Sequence, residues 1–129
     1  MTKQQAIDLA LRAKQTATEA QETAARLREE YEAASFAMDK EKDKANEALK
    51  TLRRAIEDGD IYAIEEAVNA TAQARHRYNK AAAIEEAKAA AAAAAEHEAK
   101  KAAKAADKAM LTAIEVAEKK LFPPKQPKQ

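Results

Sequence analysis

The sequence predicts an all-α fold, a long antiparallel two-helix hairpin of coiled-coil type with an alanine-rich seam. Of its 129 residues, 37 are alanine, and Glu, Lys, Gln and Arg supply many of the others. Leu, Ile, Val and Phe number only 17, too few for a conventional globular core. The net charge of +1 argues against disorder, and the single glycine, Gly59, lies near the midpoint of the chain.

The first arm is predicted to span residues 3–57. It begins with a T-x-x-Q capping box, Thr2 to Gln5, and contains no proline or glycine. Its apolar residues recur in alternating steps of four and three, which is typical of a helix–helix seam interrupted only at Glu41. The members of this stripe are Ala6, Ala10, Ala13, Ala17, Ala20, Ala24, Leu27, Tyr31, Ala34, Met38, Ala45, Ala48, Leu52 and Ala55.

A turn is predicted at residues 58–60. Gly59 suits the left-handed residue that ends a helix, and Asp60 suits the N-cap of the next helix. The second arm then spans 61–121, because a pair of prolines follows at 123 and 124. The hairpin thus forms one domain over 2–121, and a flexible tail rich in proline and lysine is predicted at 122–129.

The register of the second arm is predicted less strictly, because alanine is frequent at every position. One heptad register contains Ala63, Ala67, Ala70, Ala74, Ala81, Ile84, Ala91, Ala95, Ala102, Ala105, Ala109 and Val116, with interruptions at Arg77, Lys88, Glu98 and Thr112. With Gly59 at the apex, the numbers of facing residues sum to about 118. This rule predicts a register-setting ion pair between Glu41 and Arg77; the alternative is that both side chains point to solvent.

Bulky side chains are expected to meet at both ends of the arms. The same rule brings Leu52 and Ile56 near a group of residues close to the turn, Ile61, Ile64 and Val68. At the other end it brings Ile7 and Leu11 near Met110, Leu111 and Ile114. Alanine on alanine buries little area between these ends, so a lone hairpin has marginal stability. Three apolar residues, Leu9, Phe36 and Leu49, lie off the first stripe. The sequence therefore favours a homo-oligomer, such as a four-helix bundle of two hairpins, or docking on another protein.

Charge is distributed unevenly along the predicted hairpin. The acidic tip, residues 57–66, contains five acidic residues and no basic one. The basic open end combines residues 100–129, with eight lysines against three acids, and residues 1–14, with a net charge of plus two. Such a distribution suits electrostatically guided docking, although an ordinary solubilising surface is the alternative.

The chain lacks the combinations of residues that the common catalytic sites require. The chain has one serine, two distant histidines, no cysteine and no Glu-x-x-His motif, and its single glycine cannot build a phosphate-binding loop. We therefore expect no enzymatic activity, no cofactor and no metal site. The longest apolar run contains only seven residues, and no signal peptide is apparent, so we expect a cytoplasmic protein without membrane contact.

These observations predict a non-catalytic protein–protein interaction module, such as an adaptor, an assembly factor or an inhibitor. The residues predicted to contact its partner are Leu9, Phe36, Leu49, Asp58 and Asp60. One alternative is a nucleic-acid-binding accessory protein that uses either a basic patch containing Arg75, Arg77 and Lys80 or the lysine-rich open end. Another is a structural spacer or scaffold whose length is its function.

Overall fold

A computed structural model describes residues 1–121. Two helices, α1 (Lys3–Asp58) and α2 (Ile61–Leu121), pack against each other, and this range contains no strand. The predicted all-α helical hairpin is therefore confirmed, with α1 one residue longer than expected. The tail predicted at 122–129 lies outside the described residues.

The first turn of α1 is capped as the sequence predicts. The backbone amide of Gln5 donates to the hydroxyl oxygen of Thr2 at 3.1 Å, and the amide of Thr2 donates to the side-chain oxygen of Gln5 at 2.9 Å. This reciprocal pair satisfies two donors that a helix start would otherwise leave to water. The helical bond from the Ala6 amide to the Thr2 carbonyl follows at 3.0 Å.

The turn also follows its predicted chemistry. Gly59 has a φ of 72°, the left-handed conformation that glycine adopts without a Cβ clash, and its amide donates to the carbonyl oxygen of Ala55 at 3.0 Å. One carboxylate oxygen of Asp60 accepts bonds from the amides of Tyr62 and Ala63, at 3.1 and 3.3 Å. Asp60 is thus the N-cap of α2, and two residues suffice to reverse the chain.

The helices pack as two units, of which the turn unit comprises Leu27–Ala92. Within it the Thr71 hydroxyl lies 3.4 Å from the Ala48 carbonyl oxygen, and the Lys88 ammonium lies 3.4 Å from a carboxylate oxygen of Glu30. The residue numbers of these pairs sum to 119 and 118, which agrees with the predicted facing rule. The buried side chains of the turn unit are small: Ala45, Ala55, Ala67, Thr71, Ala74 and Ala92.

The terminal unit comprises Met1–Arg26 and the described residues from Ala93 onward. Its buried side chains are also alanines, namely Ala6, Ala17, Ala24 and Ala99. Larger residues such as Ile7 and Val116 are half-buried, whereas Leu11 and Leu111 are exposed. Alanine therefore supplies the contact surface of this unit as it does in the turn unit.

The seam of α1 is confirmed at every predicted position, since each of the fourteen stripe residues is buried or half-buried. In α2 eight of the twelve predicted seam residues are buried or half-buried, and the other four are exposed. Ala67, Ala74 and Ala81 lie in the seam, but Ala70 and Ile84 are exposed. The residues that occupy the seam between these alanines follow one position later: Thr71, Tyr78, Glu85, Ala92, Ala99 and Ala106. The observed seam of α2 steps by four residues from Ala67 to Thr71 and then by three to Ala74. The predicted order of these two steps was the reverse and was therefore wrong.

This change of phase removes the predicted ion pair between Glu41 and Arg77. Arg77 is exposed, and Tyr78, which is half-buried, takes the seam position beside it. One carboxylate oxygen of Glu41 lies 3.6 Å from the Lys44 ammonium, and the other is buried without a hydrogen-bond partner. Glu41 thus occupies the seam as predicted, but its charge partner is a neighbour on its own helix.

The bulky residues near the turn do not close the end of the hairpin as expected. Ile56, Ile61 and Val68 are all exposed, whereas Leu52 and Ile64 are half-buried. The side chains that are buried here are small, including Ala55 and Ala67, and the neighbouring larger side chains of Ile56, Ile61 and Val68 lie outside the seam. The turn unit therefore presents apolar side chains to solvent.

Candidate functional site

The acidic tip has a charge arrangement that helix stability does not explain. Glu57 and Asp58 end α1, where carbonyl groups carry the negative end of the helix dipole, and the last turn contains no basic residue. Carboxylates at this end are unfavourable, and basic residues are the usual choice. Arg53 and Arg54 lie about one turn earlier. A break of a local stability rule at an exposed turn marks a candidate functional site.

Large apolar side chains stand among these charges. Tyr62 is 85% exposed, Ile61 is 71% exposed and Ile56, directly before the acidic tip, is 57% exposed. All three lie within seven residues of one another around the turn, which makes them a group rather than scattered surface residues. The acidic tip therefore combines apolar anchors with carboxylates, the composition of a protein-binding surface with a charged rim.

The two acidic residues predicted to contact a partner differ in their structural roles. Asp58 is exposed at the end of α1. Asp60 is also exposed, but one of its carboxylate oxygens already accepts the two capping bonds from the start of α2. A substitution at Asp60 therefore changes helix stability as well as surface charge, whereas one at Asp58 changes the charge of the acidic tip without removing a cap.

Next to the acidic tip, the turn unit has a lateral depression of about 500 Å³, which we call the side groove. Leu49 and Leu52 of α1 and Val68 and Ala72 of α2 contribute its apolar lining, and Arg75 and His76 line it farther from the turn. Leu49, predicted from the sequence as a contact residue, is half-buried in this lining.

The other two predicted contact residues lie in different surroundings. Phe36 is exposed on the turn unit, and the Lys40 ammonium lies 4.6 Å from the centre of its ring, in a cation–π arrangement. Leu9 is exposed on the terminal unit, where it lines a depression of about 280 Å³ with Met1, Ala6 and Ala109. The structure therefore leaves both side chains accessible but gives no reason to join them into one site.

Comparison with protein families, curated proteins and solved structures found no match for this chain. Neither helix, over residues 1–121, contains a stretch apolar enough to cross a membrane. In the same range, no three His, Asp or Glu side chains are grouped closely enough to hold a metal ion. The candidate site therefore has to be judged from its own geometry.

The basic residues proposed for nucleic-acid contact are divided between faces of α2. Arg75 lines the side groove, whereas Arg77, two positions later, is rotated by about 200° around the helix axis. Lys80 lies three positions beyond Arg77 and is exposed with it. The structure thus does not gather the three cations on one continuous surface.

Ile61 and Tyr62 are the site residues that sequence reasoning missed. The facing rule placed Ile61 near Ile56 across the turn, and no contact was predicted for Tyr62. The available signal was the cap itself: with Asp60 as N-cap, Ile61 and Tyr62 are the first two helical residues and precede the first seam positions of α2. Residues at such positions face solvent unless another element covers them.

Proposed function

We propose that this chain is a non-catalytic protein–protein interaction module that binds its partner through the acidic tip. The partner surface best suited to this tip has an apolar pocket bordered by lysine or arginine. Tyr62 and Ile61 would enter the pocket, and Asp58 and Glu57 would face the basic border. Aromatic anchors of this kind carry much of the binding energy in protein interfaces, while charges at the rim speed association and select the partner.

The observation that carries the proposal is the joint exposure of apolar and acidic side chains at one turn. Tyr62 is 85% exposed within a segment, residues 57–66, that has five carboxylates and no cation. Exposure of the ring has a cost in water, and acidic residues at the end of α1 oppose the helix dipole. A partner with an apolar pocket and a basic border would offset both costs.

The nucleic-acid alternative has less support from the geometry. Its three cations do not share one face of α2, and the most exposed aromatic side chain within residues 1–121, Tyr62, lies among carboxylates that would repel phosphate. The scaffold alternative makes a different prediction. A spacer should tolerate substitutions of surface charges and of surface apolar residues, whereas a binding surface should not. Adaptor, assembly factor and inhibitor are all compatible with the proposed mode of binding.

Site-specific photocrosslinking tests the proposal. A benzophenone amino acid replaces Tyr62 in the full chain, and the same amino acid replaces Phe36 in a matched control, since both positions hold exposed aromatic rings. The crosslinked protein is then produced separately, and its affinity for the chain is measured. We expect crosslinking at position 62 to exceed that at 36, and Ile61→Ala with Tyr62→Ala to weaken binding about tenfold or more.

Charge variants complete the test. Asp58→Asn should lower the association rate, and added salt should reduce the difference from the unmodified chain, because screening weakens exposed charge interactions. Leu11→Ala, on the terminal unit, is the matched apolar control and should leave affinity unchanged. Equal crosslinking at positions 62 and 36, or unchanged affinity after both tip substitutions, would exclude the acidic tip as the binding surface.

A further inference from the structure

One depression of the terminal unit has an apolar interior. We call this depression, about 280 Å³ in volume, the terminal pocket. The hydroxyl of Thr112, which also lines it, donates to the carbonyl oxygen of Lys108 at 3.1 Å and is thus satisfied within α2. The pocket therefore offers mainly apolar contact to an incoming side chain. Its apolar lining consists of Met1, Ala6, Leu9, Ala105 and Ala109.

Positive charge borders the terminal pocket. Lys108 is exposed and belongs to the lining itself. Arg12 lines an adjoining depression that shares two lining residues with the pocket, and Asp8 lines that depression with the opposite charge. Residues 100–112 contain four lysines against one aspartate, and residues 1–14 contain three basic residues against one acidic residue. The segments that form the pocket therefore carry a net positive charge, opposite in sign to the acidic tip.

The geometry points to the acidic tip of a second copy of this chain as the occupant of the terminal pocket, an inference that rests on the proposed function and names its partner. The proposed function requires an apolar pocket bordered by lysine or arginine, and the terminal pocket has both properties. Ile61 and Tyr62 are exposed and would enter it, while the exposed Asp58 would face Lys108. Enclosure of an aromatic side chain buries roughly 150–250 Å², and opposite charges at the border favour this pairing over contact between like surfaces.

The two surfaces differ, so the interface between copies is heterologous. Each copy offers one acidic tip and one terminal pocket, and such contacts link copies head to tail, into a ring where the rotation closes and into an open chain where it does not. A copy that has lost only its tip can still accept the tip of another copy. A copy that has lost only its pocket can still donate its own tip, so two different variants should complement each other.

Light scattering and sedimentation of the purified full chain and of two variants test the inference. The tip variant carries Ile61→Ala with Tyr62→Ala. The pocket variant carries Ala105→Phe, which fills the pocket, with Lys108→Glu, which reverses the charge at its border; both positions are exposed, and circular dichroism checks that the helices are retained. For the unmodified chain we expect a mass above 14.1 kDa that rises with concentration and falls with added salt. Each variant alone should associate about tenfold more weakly or worse, whereas their equal mixture should form a complex near twice 14.1 kDa.

The matched control carries Ala91→Phe with Lys42→Glu, the same two changes at exposed positions of the turn unit, and should associate like the unmodified chain. A monomer at all concentrations up to about 1 mM overturns the inference, and so does a mixture of the tip and pocket variants that forms no complex. The photocrosslinking described above separates this failure from that of the proposed function. Capture of a different protein at position 62, with a monomeric purified chain, excludes the second copy and leaves the proposed function standing; equal crosslinking at positions 62 and 36 overturns both.

Discussion

The hydroxyl of Thr71 reaches across the seam to within 3.4 Å of the carbonyl oxygen of Ala48 on the facing helix. Its shorter bond, 2.7 Å, is donated to the carbonyl oxygen of Ala67 in its own helix. Because a threonine can satisfy its hydroxyl within the helix, it fits in a buried position where other polar side chains would lose their water contacts. This residue shows that the seam of α2 passes through position 71 and not through position 70.

The corrected register leads to a stability prediction for two adjacent alanines. Ala92 is 1% exposed, and Ala91, which the sequence placed in the seam, is exposed. Ala92→Leu should lower the free energy of unfolding by about 1–3 kcal/mol, because the added carbons have no room between closely packed helices. Ala91→Leu should change it by less than about 0.5 kcal/mol. Urea denaturation followed by circular dichroism measures both changes. A larger loss of stability in Ala91→Leu than in Ala92→Leu would show that the seam passes through position 91, as the sequence predicted.

A second prediction concerns Glu41, whose inner carboxylate oxygen is buried without a hydrogen-bond partner. Glu41→Leu should raise the free energy of unfolding by about 1–2 kcal/mol, since it removes an unsatisfied polar atom and adds apolar contact. Arg77→Ala should leave stability within about 0.5 kcal/mol of the unmodified chain, because Arg77 is exposed. A large loss in Arg77→Ala, together with loss in Glu41→Leu, would instead indicate an ion pair between them. Thermal and urea unfolding of the two variants distinguish these results.

The turn supplies a third prediction. Gly59→Ala should destabilise the chain by about 1–2 kcal/mol, because its φ of 72° is unfavourable for a residue with a Cβ atom. No atom lies within 4 Å of the Cβ that would be added, so the cost comes from the backbone alone. Gly59→Asn should retain more stability than Gly59→Ala, since asparagine tolerates the left-handed region better. Equal unfolding midpoints for the two variants would contradict this account.

A fourth prediction separates the two roles of Asp60. Asp60→Ala should cost about 0.5–2 kcal/mol of stability, because the amides of Tyr62 and Ala63 lose their acceptor. Asp60→Asn keeps a side-chain oxygen for these amides and should retain most of the stability, while it removes one charge from the acidic tip. If the charge of Asp60 contributes to partner binding, Asp60→Asn lowers affinity with little change in unfolding. An equal loss of stability in Asp60→Ala and Asp60→Asn would show that the carboxylate charge itself supports the cap.

Much of the fold could be predicted from local chemistry. Thr2 and Gln5 marked one helix start, Gly59 and Asp60 marked the turn, and alternating apolar residues marked the seam of α1. Each of these signals depends on residues that are close in the sequence, and each was confirmed. In α2 the signal placed one of the two heptad positions correctly and the other one residue too early. Alanine occupies positions inside and outside the seam, so that two phases of the heptad had similar apolar content. Packing chose the phase that buries Thr71 and shields Tyr78.

The candidate site depended more strongly on tertiary structure. The acidic charge of the tip can be counted in the sequence, and the cap at Asp60 places Ile61 and Tyr62 before the first seam positions of α2. The exposure of Ile56 next to the buried Ala55, however, is a property of the packed helices. The sequence by itself determined the two helices, the turn between them and the small size of the seam residues, since helix formation and capping are local. Only the packed structure decided which side of α2 faces α1, because a helix with alanine on every face has no single apolar face until a second helix covers one of them.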